Sequence, residues 1–268
     1  MLTAISDPDD LRIEAYRAVR ERDLLGRQHR FIAEGEVVLR VLLRQQSRFE
    51  VESLLLGEGR VEGLSVALDV LPSEVPVYVA NRQVMDAIVG FPIHRGILAV
   101  ARRPMLPPIN VLLANLPETA LVVGMVGLAN HDNVGGIFRN AAAFGADAIL
   151  LDQETCDPLY RKAIRVSVGG ALVVPFTRTS SADALVRALE EASFEVIALS
   201  PSGAETLSRV QPSRRMALLL GAEGPGLPAE LLARTRAVSI PMSGGFDSLN
   251  VATTSGIALH HLTQANKG

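Results

Sequence analysis

Three stretches in the second half of the chain concentrate glycine with a few polar side chains, each directly after an apolar run. The first, NHDNVGGIFRNAAAFGAD, spans Asn130 to Asp147. Gly135 and Gly136 are read as opening a helix, where backbone N–H groups can face an anion. Arg139, one turn after Gly135, can project beside that terminus. A tight turn and close helix–sheet packing explain the two glycines equally well. GxGxxG and GK[ST] are both missing, so neither a dinucleotide fingerprint nor a phosphate-binding P-loop fits. The second stretch, LLLGAEGPGLP from Leu218 to Pro228, sets Glu223 between glycines at the exit of a core strand. That carboxylate either caps a helix start or serves a site. The third, from Ile240 to Leu262, crowds Ser243, Gly244, Gly245, Asp247, Ser248 and Asn250 between strand and helix. A helix cap at Ser248 or Asn250 accounts for one such residue, not six. Here chemistry is the better reading.

In this order and spacing the three strings resemble the SpoU, or TrmH-like, branch of the SPOUT methyltransferases. The first matches at Asn133, Gly135, Arg139 and Gly145, and the second at Gly221, Glu223, Gly226 and Leu227. The third matches at Ile240, Pro241, Met242, Gly244, Ser248, Leu249, Asn250, Val251 and Gly256. The resemblance covers residues 120–263. A looser one, on FIAEG, VPVYVA and GILAV, relates residues 30–103 to the family's N-terminal substrate-binding domain. It implies a parallel-sheet α/β domain with a deep trefoil knot, preceded by a small α/β RNA-binding domain. It also implies S-adenosylmethionine held bent in the knot, largely by backbone groups, at Gly221, Ile240, Leu249 and Ser200. The implied activity is methyl transfer to a ribose 2′-hydroxyl of RNA, by a homodimer joined through the C-terminal domain.

Such a transfer needs the ribose oxygen in line with the S–CH₃ bond, and holding two reactants so can contribute roughly 7–11 kcal/mol. The hydroxyl proton is the harder problem. The resemblance offers Arg139 as its base, yet a guanidinium titrates above about 12, so its neutral form is costly. Arg139 is therefore read as a fork that holds the adjacent phosphate and stabilises alkoxide charge. Asn133, Ser248 and Asn250 would orient that fork and the phosphate, and Glu223 would hold the loops in register. The proton acceptor stays open. His131 could approach RNA, although a solvated loop histidine explains it as well. His260 and His261 are read as packing or interface residues, and His29 and His94 have no company for a metal, so none is expected. Cys156 is the lone cysteine, which excludes an internal disulfide and a CxxC site.

The elements that position these residues can be read from periodicity. Fully apolar strands LVVGMVGL, DAILLD, FEVIALS, MALLLG and AVSIPM alternate with helices, which predicts a parallel sheet covered on both faces. Ligands of such sheets sit at the carboxyl ends of the strands. A helix is expected from Pro158 to Val168. Upstream, FIAEG, VESLLLG, VPVYVA and ILAVARRP alternate with shorter helical runs, one capped by Asn81 and ending at Gly90. A leading helix is expected over Asp9–Leu25. Pro104, Pro107, Pro108 and Pro117 break both periodicities, so the chain divides into 1–103, a linker at 104–119, and 120–268.

Net charge is −3, but its distribution matters more than its sum. Lys162 and Lys267 are the only lysines, and arginine clusters near the start. Arg17, Arg20, Arg27 and Arg30 are candidates for RNA phosphates, against the alternative of a solvated helix face. Tryptophan is absent and aromatics are 4%, so no stacking platform for bases is advertised. The acidic MLTAISDPDD start resembles no signal peptide and no apolar run is long enough to span a bilayer, so a cytoplasmic protein is expected. The dedicated N-terminal domain favours ribosomal over transfer RNA. The rival is a non-catalytic knotted protein that binds RNA or assists ribosome assembly.

Overall fold

Apolar strands with every residue buried fix the architecture around the three loops. The computed structural model describes residues 2–17, 24–26, 28–44, 47–89, 96–244 and 248–264. It forms two compact units, Met1–Met105 with Leu159–Val173, and Leu106–Pro158 with Val174–Gly268.

The first unit holds strands β1 (Leu2–Ile5), β2 (Arg30–Glu34), β3 (Val51–Gly57), β4 (Val77–Ala80) and β5 (Ile97–Arg102) in the order β1-β4-β3-β5-β2. β1 and β3 flank β4 in parallel, and β5 runs antiparallel to β3 and β2. Helices α1 (Glu36–Leu42), α2 (Ser65–Leu68) and α3 (Arg82–Val89) connect them. Asn81 caps α3 as expected, its Oδ1 accepting from Val84 N at 2.9 Å; Gly90 lies outside the described residues. Two expectations need correction. β1 was not foreseen, because four residues at a sheet edge carry little periodic signal. The helix expected over Asp9–Leu25 is not continuous: Leu11–Tyr16 form a 3₁₀ turn that ends where Arg17 turns extended, residues 18–23 lie outside the described residues, and residues 24–26 are helical. Ile13 and Tyr16 of the turn are buried, and Tyr16 Oη meets Ser53 Oγ at 2.7 Å.

The second unit is a seven-stranded, wholly parallel sheet. Its strands are β6 (Ala120–Met125), β7 (Ala148–Leu151), β8 (Phe176–Arg178), β9 (Glu195–Leu199), β10 (Glu205–Thr206), β11 (Arg215–Leu220) and β12 (Arg236–Ser239). Their order is β10-β12-β9-β11-β6-β7-β8. In register, Leu220 of β11 pairs with Met125 of β6, so the two central strands end level. Helices follow as α4 (Ile109–Ala114), α5 (His131–Phe144), α6 (Arg161–Val166), α7 (Gly170–Val173), α8 (Ala182–Glu191), α9 (Ala229–Arg234) and α10 (Val251–Gln264). Both faces of a parallel sheet need cover, which explains the unbroken apolar character of β6, β7 and, after Arg215, β11.

The division of the chain also differs from the linear reading. The stretch 104–119 is not all linker: it contains α4, whose Leu112 and Leu113 are buried in the core of the second unit. The helix expected from Pro158 is shorter, and α6 with α7 belongs to the first unit. Buried Ala163 and Ile164 give α6 an apolar face, and it packs on β2. Chain order alone could not assign it.

Candidate active site

β9, β11 and β12 end beside one another, and the loops that leave them line a cleft of about 380 Å³. This lies within the roughly 300–1,000 Å³ range of small-molecule sites. Leu199, Leu220, Val238, Ile240, Leu249 and Val251 make its apolar wall. Ser200, Glu223, Ser248, Asn250 and Thr254 supply side-chain polarity. The loop after β11 folds back tightly, with Gly226 N donating to Ala222 O at 3.0 Å. A Cβ on Gly221 would stand 2.5 Å from Leu227 N, so only glycine allows this turn.

Asn250 joins all three glycine-bearing stretches. Its Oδ1 accepts from Ala252 N and Thr253 N at 3.0 and 3.2 Å, which caps α10. That fixes the amide, so Nδ2 faces the other way. It donates to Asn133 Oδ1 at 2.8 Å and to Glu223 Oε1 at 3.2 Å. Asn133 is only 4% exposed, and its own Nδ2 is buried without an acceptor among the described residues.

α5 starts earlier than the sequence suggested. Asn130 is its cap, accepting from Asp132 N at 2.9 Å. Gly135 and Gly136 therefore sit inside the helix and cannot present its terminal N–H groups to an anion. Packing explains Gly136: a Cβ there would lie 2.7 Å from Ala252 Cβ, so α5 and α10 meet almost backbone to backbone. Asn140 secures the same contact, donating to Ala252 O at 2.7 Å and Ser255 Oγ at 2.9 Å.

Residues 120–260 match the model of the SpoU rRNA Methylase family, just over half the chain and all three stretches. The chain belongs to that family. It is similar to an uncharacterized tRNA/rRNA methyltransferase of Mycobacterium bovis, 38% identical over 97% of this chain and 91% of the relative. The 23S rRNA (guanosine-2′-O-)-methyltransferase of Escherichia coli is 29% identical over 82% and 91%. The fold is shared with an AdoMet-bound rRNA methyltransferase from Sinorhizobium meliloti, at a TM-score of 0.82, 24% identity and 97% coverage of each chain. As a member the chain is an RNA methyltransferase, and S-adenosylmethionine is the methyl donor of the family.

The four residues expected at the donor, Ser200, Gly221, Ile240 and Leu249, all line the cleft, together with Glu223, Ser248 and Asn250. Arg139 does not join them. It is exposed, lies off the cleft lining, and forms no ion pair or hydrogen bond through its guanidinium among the described residues. Successive helical residues are turned by about 100°, so with Asn133, Gly136 and Asn140 facing α10, Arg139 is carried to the flank. The expected grouping of Asn133, Ser248 and Asn250 around this guanidinium is therefore absent in this chain.

Of the N-terminal arginines, Arg17 pairs with Asp9 at 3.1 Å and Arg30 with Glu52 at 2.6 Å. Arg20 and Arg27 lie outside the described residues. His131 is the first residue of α5 rather than a loop residue. His261 Nε2 meets Val210 O at 3.0 Å, and the His260 ring packs edge-on against Phe144; His94 lies outside the described residues. Burial pushes the Cys156 thiol up to about 11, leaving little of the reactive thiolate at neutral pH. Among the described residues no group of three or more His, Cys, Asp or Glu could hold a metal, and no helix is long and apolar enough to cross a membrane.

One positioning residue escaped the sequence reading. Asp152, 3% exposed, accepts from Gly127 N at 3.1 Å, Thr155 N at 2.8 Å and Thr155 Oγ1 at 2.6 Å. Arg178 clamps the same turn through the carbonyls of Asp152 and Thr155. Together they hold the loop that leads from β6 to Asn130. The available signal was an acid at the carboxyl end of an apolar strand.

Proposed function

We propose that this chain transfers a methyl group from S-adenosylmethionine to a ribose 2′-hydroxyl in structured RNA, and that the RNA is ribosomal rather than transfer RNA. The observation that carries this reading is Asn250, which ties Asn133 and Glu223 together at an apolar cleft lined by the expected donor residues. The cleft suits the donor: apolar walls for a purine, a glycine-bearing turn at 221–226 whose backbone lines it, and few charges. Ser200, Gly221, Ile240 and Leu249 would hold it. When bound, it supplies an electrophilic methyl. Glu223 and Asn250 keep the loops in register, and Ser248 on the rim meets the incoming nucleotide.

The exposed position of Arg139 favours a homodimer in which Arg139 of one subunit serves the cleft of the other. There its fork would hold the phosphate next to the target ribose and stabilise developing alkoxide charge. The exposed apolar residues Leu249 and Ile257, each 41% exposed, support a subunit contact in this region. A knotted path is supported by the loop after β9, which crosses β12 so closely that a Cβ on Gly203 would stand 2.4 Å from the Val238 carbonyl carbon. The N-terminal unit, reading RNA, favours a ribosomal target, as does the E. coli relative's activity on 23S rRNA.

The alternative of a non-catalytic RNA-binding protein draws only on Arg139 lying off the cleft. One assay separates them. Protein is incubated with methyl-labelled donor and unmodified 23S rRNA or tRNA transcripts, and the RNA is hydrolysed in alkali. A labelled, alkali-resistant dinucleotide from 23S rRNA is expected. Label on a base, label only in tRNA, or no label would each overturn the corresponding part of the reading.

A further inference from the structure

β12 lies between β9 and β10 and pairs with both in parallel. Leu199, which ends β9, and Glu205, which begins β10, stand on opposite sides of Val238. The segment 200–204 that joins them therefore crosses β12. Its near end is held by backbone, Ser200 N donating to Val238 O at 3.0 Å. Ser200 and Pro201 of this crossing line the cleft. Its far end has less support, because β10 is two residues long at the edge of the sheet, with few ladder bonds to give. Side chains make up the difference. Arg236, the first residue of β12, donates from Nε and Nη2 to Glu205 Oε2 and Oε1, both at 2.7 Å. Its third nitrogen, Nη1, donates to Glu195 Oε1 at 2.5 Å, on the β9 side. Ser239 Oγ adds a bond to Glu205 O at 3.1 Å.

All three charged side chains are about a third exposed, so solvent screens the pairs and their share of global stability is small. A bidentate fork contributes direction as well as energy. Here it fixes where β10 begins, and hence where the crossing ends. One guanidinium reaching strands on both sides of β12 is a geometry that a lysine point charge cannot copy. We propose that Arg236 is a positioning residue for the methyl donor, its fork on Glu205 holding the crossing so that Ser200 and Pro201 meet S-adenosylmethionine. Glu195 orients the same guanidinium from β9 but lies outside the crossing. The inference rests on the reading that the donor occupies this cleft.

The test titrates S-adenosylmethionine by calorimetry into the full chain and its variants Arg236→Lys, Glu205→Gln and Glu195→Gln, with thermal unfolding to show that each is folded. Arg236→Lys and Glu205→Gln should each weaken donor affinity about fivefold, the upper end for a partly exposed pair. The double variant should be no weaker than either single one, because both remove the same interaction. Glu195→Gln should bind the donor as wild type does. On RNA that wild type methylates, the KM for the donor should rise by the same factor while turnover at saturating donor holds. Wild-type affinity in Glu205→Gln overturns the positioning role, and so does an equal loss in Glu195→Gln, which would mean that the pairs only steady the sheet. Ile240→Glu sets a charge in the apolar wall and should abolish binding. Normal binding by that variant, or none by wild type, overturns the cleft reading and the inference together.

Discussion

Asn250 Nδ2 lies 2.8 Å from Asn133 Oδ1, a hydrogen bond between residues 117 positions apart. It works only because the other end of the Asn250 amide is already committed to capping α10. The cap therefore sets the angle at which the third stretch meets the first, and Glu223 completes the junction from the second. Local helix chemistry and the geometry of the cleft share one side chain.

The two roles can be separated. Serine caps nearly as well as asparagine but is too short to bridge. Asn250→Ser should leave thermal stability within about 0.5 kcal/mol of wild type, whereas Asn250→Ala should lose about 1 kcal/mol for the missing cap. Both should lower S-adenosylmethionine affinity at least severalfold, because Glu223 and Asn133 lose their tie. Thermal unfolding and calorimetry on the pair measure the two effects independently. Wild-type donor affinity in Asn250→Ser would mean the bridge is incidental.

Contact between α5 and α10 admits no extra atoms at Gly136. Gly136→Ala should destabilise by about 1–3 kcal/mol, the usual range for overpacking a well-filled interior. Adding Ala252→Gly removes the opposing methyl and should recover most of that loss. A double-mutant cycle in denaturant reads the coupling directly. Additive losses would show that some other neighbour resists the new methyl.

What the sequence made legible follows from where the information lies. The parallel sheet could be read because strands buried on both faces, such as AILL and MALLL, are apolar without interruption. The cleft residues could be read because Ser200, Gly221, Ile240 and Leu249 sit just past strand ends in distinctive strings. Pairings over long separations could not. Nothing in VGGIFRN says that Gly136 is answered by Ala252, or that Arg139 turns away from Asn133. Nor does RKAIRV, embedded between two strands of the second unit, declare that it packs in the first. The ion pairs of the arginine cluster were hidden for a related reason. Composition counts cations, but Asp9 and Glu52 reach Arg17 and Arg30 only after folding.

Ile257 stays 41% exposed on a helix whose Ser255, Ala258, Leu259 and Leu262 are buried. If that apolar flank meets a second subunit, a buried carboxylate there would face a desolvation cost with no partner. Ile257→Glu should yield monomers by sedimentation at concentrations where wild type is dimeric, and methyl transfer should be lost. On an exposed monomer surface the same change alters stability by no more than about 0.5 kcal/mol. Unchanged sedimentation of an active variant would place the subunit contact elsewhere or remove it.

Arg139 gives the sharpest test of a shared site. Because it lies off the cleft of its own subunit, Arg139→Ala should leave S-adenosylmethionine affinity unchanged and abolish methyl transfer. Arg139→Lys should also be poor, since a point charge cannot reproduce a bidentate grip on phosphate. Asn250→Ala fails for the opposite reason, with its cleft disordered and its Arg139 intact. In a mixed dimer of these two inactive chains, the Arg139→Ala subunit contributes a sound cleft and its partner contributes a sound arginine. Co-refolding the two should therefore restore activity that neither has alone, in proportion to the mixed dimers formed. If each subunit used its own Arg139, every site in the mixture would carry one defect or the other, and mixing would restore nothing.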